Sequence, residues 1–166
     1  MLPGGWRTRR MLQGFISYSH EDFERVERFK VHLGQTERDE PVTFWIDHRI
    51  QAGWPRRREI EKAIDRADFF IVKISADFGA SPFIRTQEMQ RIQARMAAVN
   101  ALMVPMLLVE CTWPKGVDAA QAVPTLKGKL KGISRWGKPE HGYNHAHNQL
   151  LKVMDVRFTG WRETTR

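Results

Sequence analysis

The run Phe69-Phe-Ile-Val-Lys-Ile74 constrains this chain more than any other segment. Six β-prone residues, apolar almost without interruption, suit a strand covered on both faces rather than one with a wet side. Such a strand needs helices above and below it, and helical patterns flank it. Ile60, Ala63, Ile64 and Ala67 recur at helical spacing before it. After the Gly79-Ala-Ser-Pro82 break, Met89, Ile92, Met96 and Val99 do so again. The same alternation continues in both directions. Gln13 to Ser19 predicts a first strand, and Ser19-His20-Glu21-Asp22 has the spacing of a capping box. Phe23, Val26, Phe29 and Leu33 then form a helical stripe, with Gly34 placed to end it. Val42 to Ile46 predicts the second strand and Leu102 to Val109 the fourth, where Pro105 signals imperfect pairing. Residues 112–132 read as an irregular basic loop, Gly132 to Trp136 as a short fifth strand, and Asn144 to Val156 as a last helix. Strand–helix alternation of this kind predicts a single α/β domain with a parallel, doubly wound sheet. Ligands bind beyond the carboxyl ends of such strands. The segments that matter for function are therefore Ser17–Asp22, Asp47–Arg58, Ser75–Glu88 and Glu110–Gly116.

Composition narrows the class. With 42% hydrophobic and 28% charged residues the 166-residue chain is ordinary globular material, neither a disordered tail nor a coiled coil. Its longest apolar run, Ala101 to Val109, is far short of the roughly 20 residues a membrane span requires. No membrane partner and no signal peptide are expected. The single cysteine, Cys111, excludes an internal disulfide and a cysteine-based zinc cluster, and makes a reducing cytoplasm the expected compartment. The net charge of +8 is concentrated. Arg7, Arg9 and Arg10 supply +3, and Lys115, Lys127, Lys129, Lys131, Arg135 and Lys138 against Asp118 supply +5, so the rest of the chain balances. That excess fits an acidic partner surface, a phosphate-bearing ligand or a nucleic-acid contact. One aromatic, Trp136, among lysines is a weak nucleic-acid signature, so a solvated loop is the reading here and no nucleic-acid partner is expected.

The chain has no Gly-rich dinucleotide fingerprint, no Walker-type lysine loop and no Gly-x-Ser-x-Gly elbow. Cys111 follows an apolar strand and reads as a structural thiol. His141, His145 and His147 offer three ligands on a Gly/Asn-rich turn without a clear carboxylate, so no metal is expected. Glu88 is the most informative acid. Ile84, Glu88 and Ile92 share one helical row. A carboxylate among apolar neighbours near a strand end is partly desolvated, as functional acids often are. Spacing alone also permits an edge-of-stripe glutamate with its head in water or paired to Arg85, Arg91 or Arg95. Arg56-Arg57-Arg58, after the Gly53-Trp54-Pro55 turn, could meet a pyrophosphate or a neighbouring subunit, or be a solvated run.

The order of motifs says more than any one of them. Gly14-Phe-Ile-Ser-Tyr-Ser-His-Glu-Asp22 resembles the first box of Toll/interleukin receptor (TIR) domains, the bacterial ones especially. Trp45-Ile-Asp47, Ile50 and Gly53-Trp54 resemble the second box and the loop after it. Arg58 to Asp68, Phe70 to Phe78, Ala80-Ser-Pro-Phe-Ile84 with Glu88, Val104 to Leu108, Trp113-Pro114 and Ser134-Arg-Trp136 continue the resemblance over roughly residues 13–156. It implies a flavodoxin-like, doubly wound, five-stranded parallel sheet over 13–158, between a basic extension (1–12) and a short tail (159–166).

The resemblance also implies two functional classes. Some TIR domains are scaffolds that assemble through like-with-like contacts. Others cleave NAD+ at the nicotinamide–ribose bond, giving nicotinamide and ADP-ribose or a cyclic isomer. Glu88 matches the position of the catalytic glutamate of those enzymes. By the same match Phe15, Ser17, Ser19 and His20 would border the nucleotide pocket. Trp45, Asp47 and Trp54 would close over it, Phe83 and Ile84 would lie beside the base, and Arg56, Arg57 and Arg58 would contact a second subunit. Ile84 departs from the pattern, because well-studied NAD+-cleaving members often carry tryptophan there. The expectation is an NAD+ nucleosidase or cyclase in bacterial defence signalling or virulence, active on self-assembly. NAD+ would be its substrate, with no cofactor, and a separate sensor or effector protein its partner. The alternative is a non-catalytic scaffold.

Overall fold

A computed structural model describes residues 10–46, 56–82 and 84–162, the side chains of residues 56, 85 and 86 excepted. In chain order these residues form β1 (Leu12–Ser17), α1 (Phe23–Asp39), β2 (Val42–Ile46), α2 (Arg56–Arg66), β3 (Phe69–Ile74) and α3 (Ala76–Ala80). A single π-helical turn (Ile84–Glu88) leads into α4 (Met89–Val99). Then come β4 (Leu102–Leu107), the two-residue strands β5 (Thr125–Leu126) and β6 (Lys129–Leu130), and α5 (Pro139–Arg157). The first four strands are parallel in the order β2-β1-β3-β4.

β3 is buried at every position, as its composition requires. Its alternate residues feed two cores. Phe69 and Ile71 pack with Ile16, Phe29, Leu33, Val104 and Leu150 on the face covered by α1 and α5. Phe70 and Val72 pack with Phe15, Ile60, Ile64 and Ile92 on the face covered by α2 and α4. Gly14 of β1 lies opposite both Phe44 and Phe69. A β-carbon there would lie 2.4 Å from the Phe69 ring, so the crossing aromatics leave room only for glycine.

Four local expectations give way. Ser19 makes no side-chain cap. A 3₁₀ turn over His20–Asp22 intervenes, and the Asp22 carboxylate accepts instead from the Ser75 hydroxyl. α1 does not stop at Gly34 but runs on to Asp39, since a surface glycine with nothing packed around it does not break a helix held by Phe29, Leu33 and Thr36. The last helix begins at Pro139 rather than Asn144, because proline is favoured in a first helical turn. The fifth strand is not at 132–136, where a 3₁₀ turn (Ile133–Arg135) packs Ile133 into the core. Among the described residues the fifth place in the sheet is held by one residue, Val123, bridged in parallel to Met106. The sheet therefore has four strands and a one-residue bridge.

That arrangement also accommodates Pro105. Leu108 N–H donates inward to the Ile74 carbonyl, whereas Leu107 N–H donates outward to Val123. Pro105 shares the outward parity, so its missing donor falls on the nearly open edge. The loop expected over 112–132 is partly ordered as the β5–β6 hairpin.

Candidate functional site

β1 delivers Ser17 as its last residue, at the carboxyl end of the sheet, and the chain then turns through Ser19 into the 3₁₀ segment. From the other side the π turn delivers Glu88 as its last residue, just before α4. Single π turns are often found at functional sites. The two side chains meet: Ser17 Oγ donates to Glu88 Oε1 at 2.5 Å, with Ser17 1% and Glu88 8% exposed. Glu88 is thus a nearly buried carboxylate whose first oxygen is fixed by a hydroxyl. This excludes the picture of an edge glutamate with its head in water. Of the arginines expected as its partners, Arg91 forks onto Asp65 and Arg95 donates to the Ala67 carbonyl, while the Arg85 side chain lies outside the described residues.

Glu88 also lines a groove of about 370 Å³ between α2 and α4, with Arg57, Ile60, Glu61, Gln87 and Arg91 among its walls. The groove has an apolar floor and a charged rim. Arg57 Nε donates to Glu61 at 3.2 Å, and Arg91 is held above its ordinary pKa by its hydrogen bond to Asp65. Of the three consecutive arginines, Arg57 and Arg58 are exposed.

The other expected residues divide by burial. Trp45 is half-buried and stacks flat on Phe15, ring centroids 5.2 Å apart. Phe15 is 1% exposed and also meets Phe70 edge-on at 6.0 Å. It forms the floor on which Trp45 rests. Ile84 is 4% exposed and belongs to the same core. Ser19 is buried and its carbonyl accepts from Asp22 N–H at 2.8 Å, while His20 is exposed and lies 5.8 Å from the Tyr18 ring. Asp47, Trp54 and Phe83 lie outside the described residues.

Sequence reasoning missed the Asp22–Ser75 link. Asp22 is 1% exposed and Ser75 3%. Asp22 accepts from Ser75 and, at 3.3 Å, from Arg25, while Ser75 Oγ accepts from Phe78 N–H at 3.1 Å. The link ties the loop after β1 to the end of β3 and so fixes the backbone that carries Ser17. Its trace in the sequence was the capping-box acid, which read as helix signal alone. Cys111 is half-buried, and burial together with nearby Glu110 and Asp22 pushes its thiol above its ordinary pKa, which fits an inert role. The three histidines do not converge. His145 packs on Trp136 at 4.9 Å and His147 pairs with Thr36 Oγ1 at 2.9 Å. Among the described residues no group of His, Cys, Asp and Glu is placed to hold a metal ion, and no helix is long and apolar enough to cross a membrane.

The parallel α/β sheet, of order β2-β1-β3-β4, carries a nearly buried carboxylate at the carboxyl ends of its strands, the end at which folds of this class bind ligands. A TIR domain family model matches residues 15–146, and the chain belongs to the TIR domain family. It is 34% identical over 139 residues to the uncharacterized protein y4lF of Sinorhizobium fredii, a match covering 84% of this chain and 40% of that protein. The chain thus spans well under half the length of that relative. Among solved structures it is similar to the TIR domains of the activated Roq1 resistosome directly recognizing the pathogen effector XopQ. There the identity is 18% and the TM-score 0.44, covering 91% of this chain and 79% of that one.

Proposed function

We propose that this TIR domain cleaves NAD+ at the nicotinamide–ribose bond, releasing nicotinamide and ADP-ribose or a cyclic isomer, and that it does so when self-assembled. A role in bacterial defence signalling or virulence goes with that activity. The observation that carries the reading is the Ser17–Glu88 pair: a nearly buried carboxylate, fixed by one hydroxyl, at the carboxyl end of a parallel sheet.

The chemistry suits such a group. Nicotinamide leaves NAD+ with the bonding electron pair and becomes neutral, so no general acid is needed. Positive charge develops on the ribose, as in other glycosidic cleavages. Glu88 supplies negative charge facing that carbon and can accept hydrogen bonds from the ribose hydroxyls. Ser17 holds one oxygen in place, which is electrostatic preorganisation rather than covalent catalysis. Water then adds to the ribosyl carbon and loses a proton to solvent, giving ADP-ribose. Attack by an adenine nitrogen instead gives the cyclic product. Trp45 on its Phe15 floor, with Asp47 and Trp54 beyond it, would cover the nucleotide, and Arg56, Arg57 and Arg58 would meet the neighbouring subunit.

The test is NAD+ turnover at high protein concentration with separation of the products, for wild type and Glu88→Gln. Glutamine keeps the size and removes the charge. Nicotinamide release by wild type alone is expected. Release by neither protein, even when concentrated, would sink the enzymatic reading.

One observation favours a second reading, the non-catalytic scaffold: Ile84 lies inside the core, at the position where NAD+-cleaving relatives often carry a tryptophan. On that reading Glu88→Ala is silent, while Trp54→Ala or replacement of the three arginines abolishes self-association.

A further inference from the structure

The strongest concentration of charge on this protein lies far along the chain from the site above, and the fold holds it rigid. β5 and β6 form a tight hairpin whose tip is Lys127-Gly128, both with positive φ (52° and 77°). Gln149 of α5 clamps the hairpin. Its Oε1 accepts from Thr125 N–H at 2.8 Å and its Nε2 donates to the Thr125 carbonyl at 3.1 Å. On the far side Trp136 Nε1 donates to the Lys131 carbonyl at 3.1 Å, and Gly142 of α5 lets the indole pack close, since a β-carbon there would sit 2.9 Å from it. Lys127, Lys129, Arg135 and Lys138 project from this frame into solvent, all four exposed.

These cations are also uncompensated. Among the described residues Lys115, Lys127, Lys129, Lys131 and Lys138 make no ion pair, and Arg135 reaches only Glu110, at 3.8 Å. Asp118, the one acid of the segment, is occupied by the Ala120 N–H. Elsewhere Arg28 of α1 and Arg57 of α2 are matched to Glu140 and Glu61. Like charges held together on a rigid hairpin without counter-charges repel one another, a cost that an external anion relieves.

The residue types select among anions. Lysine is depleted in the cores of protein–protein interfaces, which favour aromatic residues and arginine, and this patch has no free aromatic anchor. Both neighbours of Trp136 are in place: Lys131 Nζ sits 4.9 Å over its ring, and His145 packs at 4.9 Å. With the indole engaged, base stacking is closed and phosphate contact remains. We propose that the β5–β6 hairpin with Arg135 and Lys138 is a docking surface for the phosphodiester backbone of a nucleic acid, bound by charge without base readout. The solvated loop expected from sequence is, on this account, a built polyanion surface. It is independent of NAD+ cleavage.

The test is fluorescence anisotropy with a labelled DNA duplex and an RNA duplex of about 20 base pairs, titrated at several salt concentrations between about 50 and 200 mM. Three proteins are compared: wild type, a patch variant (Lys127→Gln, Lys129→Gln, Lys138→Gln) and a control with the same charge loss elsewhere (Arg66→Gln, Lys152→Gln, Arg157→Gln). All six side chains are exposed. Wild type should bind both duplexes with affinity falling steeply with salt. The patch variant should lose between about two and three units of the log–log salt slope, and the control should lose little. The proposal is overturned by absence of duplex binding at low salt, by equal loss in the control, by a tenfold preference for one base sequence, or by binding to phosphatidylserine vesicles without binding to either duplex.

Discussion

At the scale of single residues, Ser17 and Glu88 depend on each other. Removing the Ser17 hydroxyl would take one hydrogen-bond donor from a nearly buried carboxylate. Ser17→Ala should lower kcat for nicotinamide release by about tenfold to a hundredfold with little change in KM, and Ser17→Thr should restore most of it. A merely structural serine would instead show lowered stability with kcat retained, so steady-state kinetics beside a melting curve separates the two. Gly14 has a different constraint. Gly14→Ala places a methyl group against the Phe69 and Phe44 rings within the sheet, and should destabilise by about 1–3 kcal/mol in denaturant titration. How far such residues were legible depends on range. Glu88 could be singled out because its clues, helical row and strand end, are local. Its partner Ser17 is 71 residues away and could be placed beside it only by resemblance. Ser75, 53 residues from Asp22, left no pattern at all.

At the scale of elements, the α1–α5 contact carries the acid sensitivity of the fold. Burial, with His32 and Arg162 nearby, lowers His147 from 6.5 to about 4, and its ring sits against Thr36 and edge-on to Phe29. The unfolded chain takes up this proton near its ordinary value while the folded chain resists it, so stability should fall as pH drops from 6.5 to 4. Glu140, held by Arg28 and lowered from 4.5 to about 2, adds its own loss only from the acid end of that window, as pH falls through 4.5 towards 2. Denaturant midpoints measured across this range should therefore fall for wild type and flatten for His147→Gln. A slope unchanged in the variant would assign the effect elsewhere. The elements themselves were legible where burial is two-sided, as in β3 and β4. The π turn was not, since an inserted residue leaves the apolar spacing of α4 intact. The fifth strand was misplaced because a one-residue bridge at Val123 has no periodicity to detect, whereas Ile133 does carry an apolar signal, from the core rather than from a strand.

Over the whole molecule, the most costly feature is Lys73. Sequence shows it only as the one polar letter in the central strand. The fold buries it completely, with Nζ 3.4 Å from the centre of the Phe29 ring and 2.7 Å from Met106 Sδ. Neither is an anion. Burial alone drives the amine well below its ordinary 10.5. The unfolded chain therefore binds a proton that the folded chain gives up. This penalty on folding is absent above pH 10.5, grows as pH falls from there, and levels off once the folded amine is itself protonated. Wild-type stability should carry a rising component from neutral to alkaline pH, opposite in range to that of His147. Lys73→Met keeps the length, exchanges the amine for a thioether among Phe29 and Met106, and should raise stability by on the order of 1–3 kcal/mol at neutral pH while removing that component. The check is urea denaturation of both proteins from pH 6 to about 10. A variant less stable than wild type, or one with the same pH slope, would mean that the amine finds its compensation within the native core.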